Sequence, residues 1–476
     1  MRRSSRGVAL LTLALINVFT LAAGVTLVRM LPVRLAMLKP VRVAGRADVQ
    51  PDPVLGPASG TTGDGPTSSG LDSALASLLT SSALGPGASA VVADESGQVL
   101  WSRDPSQLGA PASTQKVATA VAALDVLGPD AQFTTKVVSG SGRSIVLVGG
   151  GDPTLTAGTA PSSGYPQPAS LQALAATTAK ALKAAHRTQV QLEYDTSLYT
   201  GPGLAPGWPD SYVTTGDVTS ITSLEVDQGR LTTSGTPEDT NDPTNYRPRS
   251  SDPAADAAES FGSFLTADGI SVTGQPSTVT APRGAATLGS VSSPALSAIV
   301  EQMLLESNNV IAENLARHVA IATGHPASFA GAATAETAVL SRLGVTRGIQ
   351  LVDGSGLSPE DKVTPAALVQ LLTLGASAQH PGLRAAITGL PVAGFAGTLS
   401  TGNSVFGDIG GPARGVVRAK TGNLSTVAAL AGLVYDRDGR VLVFAFDADQ
   451  VPAADLQDAA DTLNDAAGAL ASCGCR

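Results

Sequence analysis

Ser113 and Lys116 lie three residues apart in the stretch PASTQKVATAVAAL, at the start of a long apolar run. Side chains at positions i and i+3 share one face of a helix, so the lysine nitrogen can reach the serine hydroxyl. A neutral lysine there could act as a base towards the serine hydroxyl. Burial or a second nearby cation would have to lower the pKa of that lysine from its ordinary value of about 10.4.

The presence of a lysine at this position is informative because the chain has only seven lysines and 23 arginines. Arginine stays protonated in proteins, so it cannot serve as a base. Ser113 is the only serine that lies three positions before a lysine. By itself the pattern is weak, because a helix-capping serine beside an exposed lysine has the same spacing.

Two further stretches supply groups that such a pair would need. Ser307-Asn308-Asn309 interrupts a long helical pattern with residues of poor helix propensity, which predicts a break between two helices that face a cleft. Lys420-Thr421-Gly422 lies at the end of a predicted strand, where glycine permits a close backbone approach by a ligand. Each stretch alone is equally typical of an ordinary turn or strand end.

Other kinds of catalytic site have less support. The four histidines are His186, His318, His325 and His380, and none lies in a zinc-binding pattern. The sequence also has no G-x-S-x-G nucleophile elbow. We therefore predict no metal ion and no cofactor. Cys473 and Cys475 lie within the last four residues and indicate a terminal tail, with a local disulfide as the alternative.

The order S-x-x-K, S-x-N, K-T-G resembles the motif set of penicillin-binding proteins and serine β-lactamases. Ser307 follows Ser113 by 194 positions, too far for a compact β-lactamase, which leaves room for an inserted domain. The chain more closely resembles the D-alanyl-D-alanine carboxypeptidase/endopeptidase family, the class C low-molecular-mass penicillin-binding proteins. Four more stretches resemble that family: LVGGGDPTL (147–155), GWPDSY (207–212), DGSGLS (353–358) and LPVAGFAGTL (390–399).

This resemblance implies a set of catalytic roles. Ser113 would attack the penultimate D-Ala carbonyl, and Lys116 would accept the serine proton. Ser307 would pass a proton to the departing D-Ala amine, while Asn309 would hold Lys116 and the substrate amide. Lys420 would be a second cation that lowers the pKa of Lys116 and attracts the terminal carboxylate of the substrate.

Three residues next to Lys420 would bind the substrate according to the same resemblance. Thr421 would hydrogen-bond the terminal carboxylate, and Gly422 would let the peptide lie antiparallel along the strand. The backbone N–H groups of Asn423 and Ser113 would form the oxyanion hole.

The elements that must position these residues indicate an α+β fold, with helices packed on an antiparallel sheet. A hairpin comes first, helices follow, and three strands and a closing helix end the chain. This arrangement, with the resemblance, predicts the β-lactamase/penicillin-binding transpeptidase-like fold with an inserted smaller domain. We assign 1–30 to a cytoplasmic stub and transmembrane helix, 31–70 to a flexible linker, 71–152 and 287–470 to the catalytic domain, 153–286 to the insert and 471–476 to a tail.

The N-terminus carries the pattern of a signal anchor. Arg2, Arg3 and Arg6 precede 22 uncharged residues, Gly7 to Val28, which as a helix would span roughly 33 Å. Secretory apolar regions are usually shorter, about 7–15 residues. We therefore predict an uncleaved anchor, with a signal cleaved after Ala22-Ala23-Gly24 as the alternative. Basic residues on both sides leave the orientation open, and the resemblance places the catalytic domain outside the membrane.

The composition and the resemblance together define the expected partners. With a net charge of −9 and no basic stripe, the chain is not expected to bind nucleic acid. The resemblance implies a serine-type D-Ala-D-Ala carboxypeptidase that acts on peptidoglycan peptides and is acylated by β-lactams, with endopeptidase activity left open. The alternatives are a serine β-lactamase-like hydrolase and a non-catalytic module that binds the cell wall or senses penicillin.

Overall fold

This computed structural model describes residues 65–160, 165–231, 247–402, 405–407 and 409–476. The predicted transmembrane helix within residues 1–30 lies outside this part of the chain. Among the described residues, we find no helix with both the length and the apolar character that a bilayer span requires.

The α-helices are α1 (Ser68–Leu79), α2 (Lys116–Leu127), α3 (Leu171–Ala184), α4 (Ser211–Thr215), α5 (Pro253–Ala267), α6 (Leu296–Glu306), α7 (Asn309–Ala322), α8 (Phe329–Arg342), α9 (Pro365–Ala376), α10 (Ala385–Thr388) and α11 (Leu456–Ser472). The strands are β1 (Ala88–Asp94), β2 (Val99–Arg103), β3 (Thr134–Ser139), β4 (Ser144–Val148), β5 (Gln189–Asp195), β6 (Ser271–Val272), β7 (Ser277–Thr278), β8 (Thr287–Ser292), β9 (Ile349–Gln350), β10 (Lys362–Val363), β11 (Val417–Leu424), β12 (Val427–Tyr435) and β13 (Val441–Ala448).

The first sheet has five antiparallel strands in the order β11-β12-β13-β1-β2. One of its faces shares a core with α2, α6, α7, α8 and α9, and the other packs against α1 and α11. Strands β12 and β13 are therefore buried along almost their whole length, as expected for strands covered on both faces. The predicted hairpin, the three late strands and the closing helix are all present.

Helix α2 runs through the middle of the helical layer. Every residue from Lys116 to Leu124 is buried, because the small and branched side chains of KVATAVAAL present an apolar surface on all sides. Lys116 thus begins a helix that has no solvent-facing side over its first nine residues.

The predicted break at Ser307-Asn308-Asn309 separates α6 from α7. Ser307 caps α6 in the left-handed conformation, with φ 58°. Asn308 caps α7 by accepting a hydrogen bond from the Ile311 N–H at 3.1 Å. Asn308 thus starts α7 as its preference for N-caps predicts, whereas Ser307 ends α6 in a conformation that is uncommon outside glycine.

A second sheet joins six strands between Thr134 and Ser292. Its order is β6-β5-β4-β3-β8, with β7 paired to β5, and it contains both parallel and antiparallel pairs. Its apolar face packs against α3 and α5. Strands β3 and β4 come before residue 153 and β8 comes after residue 286, so this sheet extends beyond the predicted limits of the insert. The domain boundaries stay a prediction.

Candidate active site

Ser113 and Lys116 meet where a 3₁₀ turn, Ala112–Gln115, leads into α2. The Lys116 Nζ donates to Ser113 Oγ at 2.8 Å, to Asn309 Oδ1 at 2.7 Å and to the Ser355 carbonyl oxygen at 2.8 Å. Lys116 is fully buried, whereas Ser113 is half-buried. Ser113 is therefore partly accessible to solvent, whereas the lysine that contacts it is shielded from water.

The charge state of Lys116 follows from this burial. Desolvation lowers the pKa of Lys116 to about 7, against an opposing effect of the carboxylates of Asp353, Glu313 and Asp361. A lysine with a pKa near 7 is neutral in a large share of molecules at neutral pH. It can therefore accept a proton from the hydroxyl that it already contacts.

We expect acylation of Ser113 to depend on pH through Lys116. Only neutral lysine accepts the proton, so the rate constant should fall about tenfold per unit below pH 7 and level off above it. The measurement is the second-order rate constant for labelling by a fluorescent penicillin, from about pH 5 to about pH 9. Circular dichroism over the same range controls for unfolding. A rate that stays flat or rises as the pH falls would contradict the account.

The second lysine, Lys420, lies on β11 opposite the end of α6. Its Nζ donates to Ser307 Oγ at 2.8 Å and to the Thr421 carbonyl at 2.9 Å. Burial and the nearby Lys116 charge lower the pKa of Lys420 well below its ordinary value. Burial is the main cause of the lowered pKa of both lysines. The Lys116 charge adds to the effect on Lys420, whereas the predicted lowering of the Lys116 pKa by Lys420 is not among the causes found for Lys116.

Asn309 is held from two sides. Its Nδ2 donates to the Asp217 carbonyl at 2.9 Å, which turns Oδ1 towards Lys116. The neighbouring Asn308 donates from Nδ2 to Gln228 Oε1 at 2.7 Å. Asp217 and Gln228 both lie in the predicted insert, so this region contributes contacts that fix the amide orientation.

Strand β11 is at the edge of the first sheet, and Thr421, Gly422 and Asn423 follow Lys420 along it. Thr421 Oγ1 lies 2.8 Å from Thr398 Oγ1, and the side chain of Asn423 is exposed to solvent. A Cβ on Gly422 would lie 2.7 Å from the Pro111 carbonyl oxygen and 3.2 Å from Thr114 N. The close approach that requires glycine is therefore that of the turn carrying Ser113.

Gly422→Ala is expected to push β11 away from that turn. Such overpacking typically costs about 1–3 kcal/mol of stability, and we expect the penicillin-labelling rate to fall at least about tenfold. Thermal unfolding and labelling kinetics measure the two effects. Gly468→Ala is the matched control, since a Cβ at Gly468 meets no atom within 4 Å. Equal labelling by both variants would show that the packing at Gly422 is unimportant.

The loop Asp353–Ser358 contributes an acceptor that we did not predict, the Ser355 carbonyl. The Asp353 Oδ1 accepts from Ser355 N at 2.9 Å and from Gly356 N at 2.6 Å. The Glu313 carboxylate accepts from Gly354 N at 3.0 and 3.2 Å. The sequence contained one signal for Glu313, which follows Asn309 by four positions and so shares its face of α7.

The structure thus brings Ser113, Lys116, Ser307, Asn309, Lys420, Thr421 and Gly422 together. Residues 71–248 and 233–470 match the D-Ala-D-Ala carboxypeptidase 3 (S13) family. The carboxypeptidase DacB of Mycolicibacterium smegmatis is 38% identical over 416 residues, 86% of this chain and 85% of that protein. A carboxypeptidase of Mycobacterium tuberculosis is 36% identical over 389 residues, 80% of each chain.

The fold has a counterpart among solved structures. Penicillin-binding protein 4 of Haemophilus influenzae superposes with a TM-score of 0.64 at 23% identity, over 83% of this chain and 97% of that one. This likeness confirms the predicted α+β penicillin-binding fold. From the family match and the two relatives that extend over most of its length, the chain belongs to the D-Ala-D-Ala carboxypeptidase 3 (S13) family.

Proposed function

We propose that this protein hydrolyses peptidoglycan stem peptides that end in D-Ala-D-Ala, through an acyl-enzyme on Ser113. It is a serine-type D-Ala-D-Ala carboxypeptidase of the S13 family. The observation that supports the site is the 2.8 Å contact between Ser113 Oγ and the fully buried Lys116 Nζ.

Acylation begins with Lys116 neutral. Its nitrogen takes the hydroxyl proton as Ser113 Oγ attacks the penultimate D-Ala carbonyl. The backbone N–H groups of Ser113 and Asn423 bind the oxygen that becomes negative. Loss of one such donor typically raises the barrier by about 2.7–4 kcal/mol.

The opposite wall of the cleft handles the leaving group. Ser307, hydrogen-bonded to Lys420, relays a proton to the departing D-Ala amine. Lys420 and Thr421 bind the terminal carboxylate, whose charge favours the protonated form of the buried lysine. The peptide lies along β11 past Gly422 as an added strand. Water then hydrolyses the ester and frees Ser113.

A β-lactam would be attacked in the same way, because its strained amide takes the place of the D-Ala-D-Ala amide. A solved structure of the Haemophilus influenzae protein contains a β-lactam. If this chain were instead a β-lactamase, it would turn over nitrocefin rapidly. A non-catalytic penicillin sensor would acylate but release no D-Ala from a peptide.

Product analysis on two substrates tests the function. A stem pentapeptide should release one D-Ala per molecule, and Ser113→Ala should release none. A cross-linked peptide dimer distinguishes the two peptidase activities: free D-Ala from the pentapeptide alone means carboxypeptidase, and cleavage of the dimer means endopeptidase as well. Failure to release D-Ala from the pentapeptide would contradict the assignment.

We also propose that residues 7–28 anchor the catalytic domain to the outer side of the cell membrane. Their uncharged sequence after three arginines supports this, as does the position of the peptidoglycan polymer outside the cell membrane. The full chain should sediment with membranes and resist extraction by high salt, whereas a chain lacking residues 1–30 should not. If expression of the full chain instead yields a soluble protein that has lost its N-terminal residues, the cleaved signal is favoured.

A further inference from the structure

The predicted insert contacts the Asp353–Ser358 loop through one of the chain's two tryptophans. The Trp208 Nε1 donates to Asp353 Oδ2 at 2.7 Å, across 145 positions of sequence. Asp353 is 2% exposed and Trp208 is 7% exposed. Both side chains are therefore almost completely shielded from solvent.

Asp353 holds its loop by accepting from several donors. Its two carboxylate oxygens accept from the backbone N–H groups of Ser355, Gly356 and Ser358, at 2.9, 2.6 and 2.7 Å. The indole of Trp208 is the side-chain donor at the second oxygen. A carboxylate that is buried and satisfied in this way fixes the loop backbone around it.

The position of this loop determines how the catalytic lysine points. A neutral amine has two N–H bonds and one lone pair. The Ser355 carbonyl and Asn309 Oδ1 can only accept, so they take the two N–H bonds of neutral Lys116. The lone pair is then directed at Ser113 Oγ. Among the three groups that contact Lys116 Nζ, the serine hydroxyl is the one that can donate a hydrogen bond.

We propose that Trp208 and Asp353 form a positioning pair, which holds the Ser355 carbonyl against Lys116 so that the lysine lone pair faces Ser113. This inference rests on the proposed function of Lys116 as the base. It assigns to the insert a part in orienting the base, in addition to its contact with Asn309.

The two tryptophans allow a matched comparison. Trp101 also donates its indole N–H to an aspartate, Asp72, at 3.1 Å, but it packs in the core on the far face of the sheet. Replacing either tryptophan with phenylalanine keeps an aromatic ring and removes one donor to a carboxylate. In Trp208→Phe the ring can still pack on Phe329, whose centroid lies 5.3 Å from that of Trp208.

The experiment measures acylation of the full chain by a fluorescent penicillin, with the dissociation constant and the acylation rate constant resolved by rapid mixing. Trp208→Phe should lower the acylation rate constant about tenfold to a hundredfold, with the dissociation constant unchanged within about twofold. Trp101→Phe should leave both constants within about twofold of wild type. Thermal unfolding measurements test whether both variants are folded.

Two results would overturn the proposal: a wild-type acylation rate in Trp208→Phe, or an equal loss in both tryptophan variants. If wild type itself is not acylated, the proposed function fails, and the positioning role fails with it. If wild type and Trp208→Phe are acylated at the same rate, the positioning role is refuted and the proposed function is not.

Asp353→Asn provides a second readout that a purely structural role would not move. Asp353 is the group that most raises the pKa of Lys116 against burial. Without that charge, the acidic limb of the acylation profile should shift to lower pH, while in Trp208→Phe, which keeps the charge, the limb should stay in place. An unmoved limb in Asp353→Asn would contradict the electrostatic link between this loop and the lysine. If Trp208→Phe does not fold, the acylation rate constant of Asp353→Asn on the pH plateau decides the positioning role, and a wild-type value there would overturn it.

Discussion

Ser113→Ala is expected to lose labelling by a fluorescent penicillin and release of D-Ala, with both rates reduced about a thousandfold or more. The reason is that no other group replaces the oxygen that forms the ester. The change removes one half-buried oxygen from a turn that is otherwise packed, so the fold should be retained. Gel fluorescence after penicillin treatment, with thermal unfolding alongside, measures both.

Ser77→Ala is the control for this experiment, because Ser77 is an exposed serine on α1, away from the cleft. It should label like wild type. Labelling that survives Ser113→Ala would refute the nucleophile assignment, and mass spectrometry of the labelled peptide would then identify the residue that carries the ester.

Lys116→Arg should retain the positive charge and lose acylation by about a hundredfold to ten-thousandfold, the usual contribution of a general base. Arginine cannot release its proton at any pH that the fold tolerates. Raising the pH should therefore fail to restore the rate, whereas in wild type the rate increases through about pH 7.

The matched control for this substitution is Lys180→Arg, on an exposed position of α3. It should acylate normally. Thermal unfolding of Lys116→Arg separates a chemical defect from poor fit of the larger guanidinium in a buried site. A folded and fully active Lys116→Arg would show that deprotonated lysine is not part of the mechanism.

Much of this architecture could be predicted because it depends on local sequence. The hairpin and the late strands follow from short apolar runs that are bounded by turn residues. The break at Ser307-Asn308-Asn309 follows from helix propensity. The three motifs fixed which side chains belong to the site, since serine and lysine chemistry depends on residue type.

The sequence did not predict those parts of the site that do not depend on the type of residue. The carbonyls of Ser355 and Asp217 are backbone groups, which every residue has, so only the fold shows that they contact Lys116 and Asn309. The pairing of Trp208 with Asp353 joins two stretches that we noted separately. Gly422 was predicted for a related reason, a close approach, but the approaching atoms belong to the turn that carries Ser113.

Backbone conformation at the cleft has a consequence for heat inactivation. Ala112 and Ser307 both have positive φ, 45° and 58°, and such a conformation in a non-glycine residue costs of order 1–3 kcal/mol. They lie on opposite walls, beside the nucleophile and at the end of α6. Relaxation at either position would release that energy without unfolding the sheet, so catalytic activity should decay at a lower temperature than the cooperative loss of secondary structure.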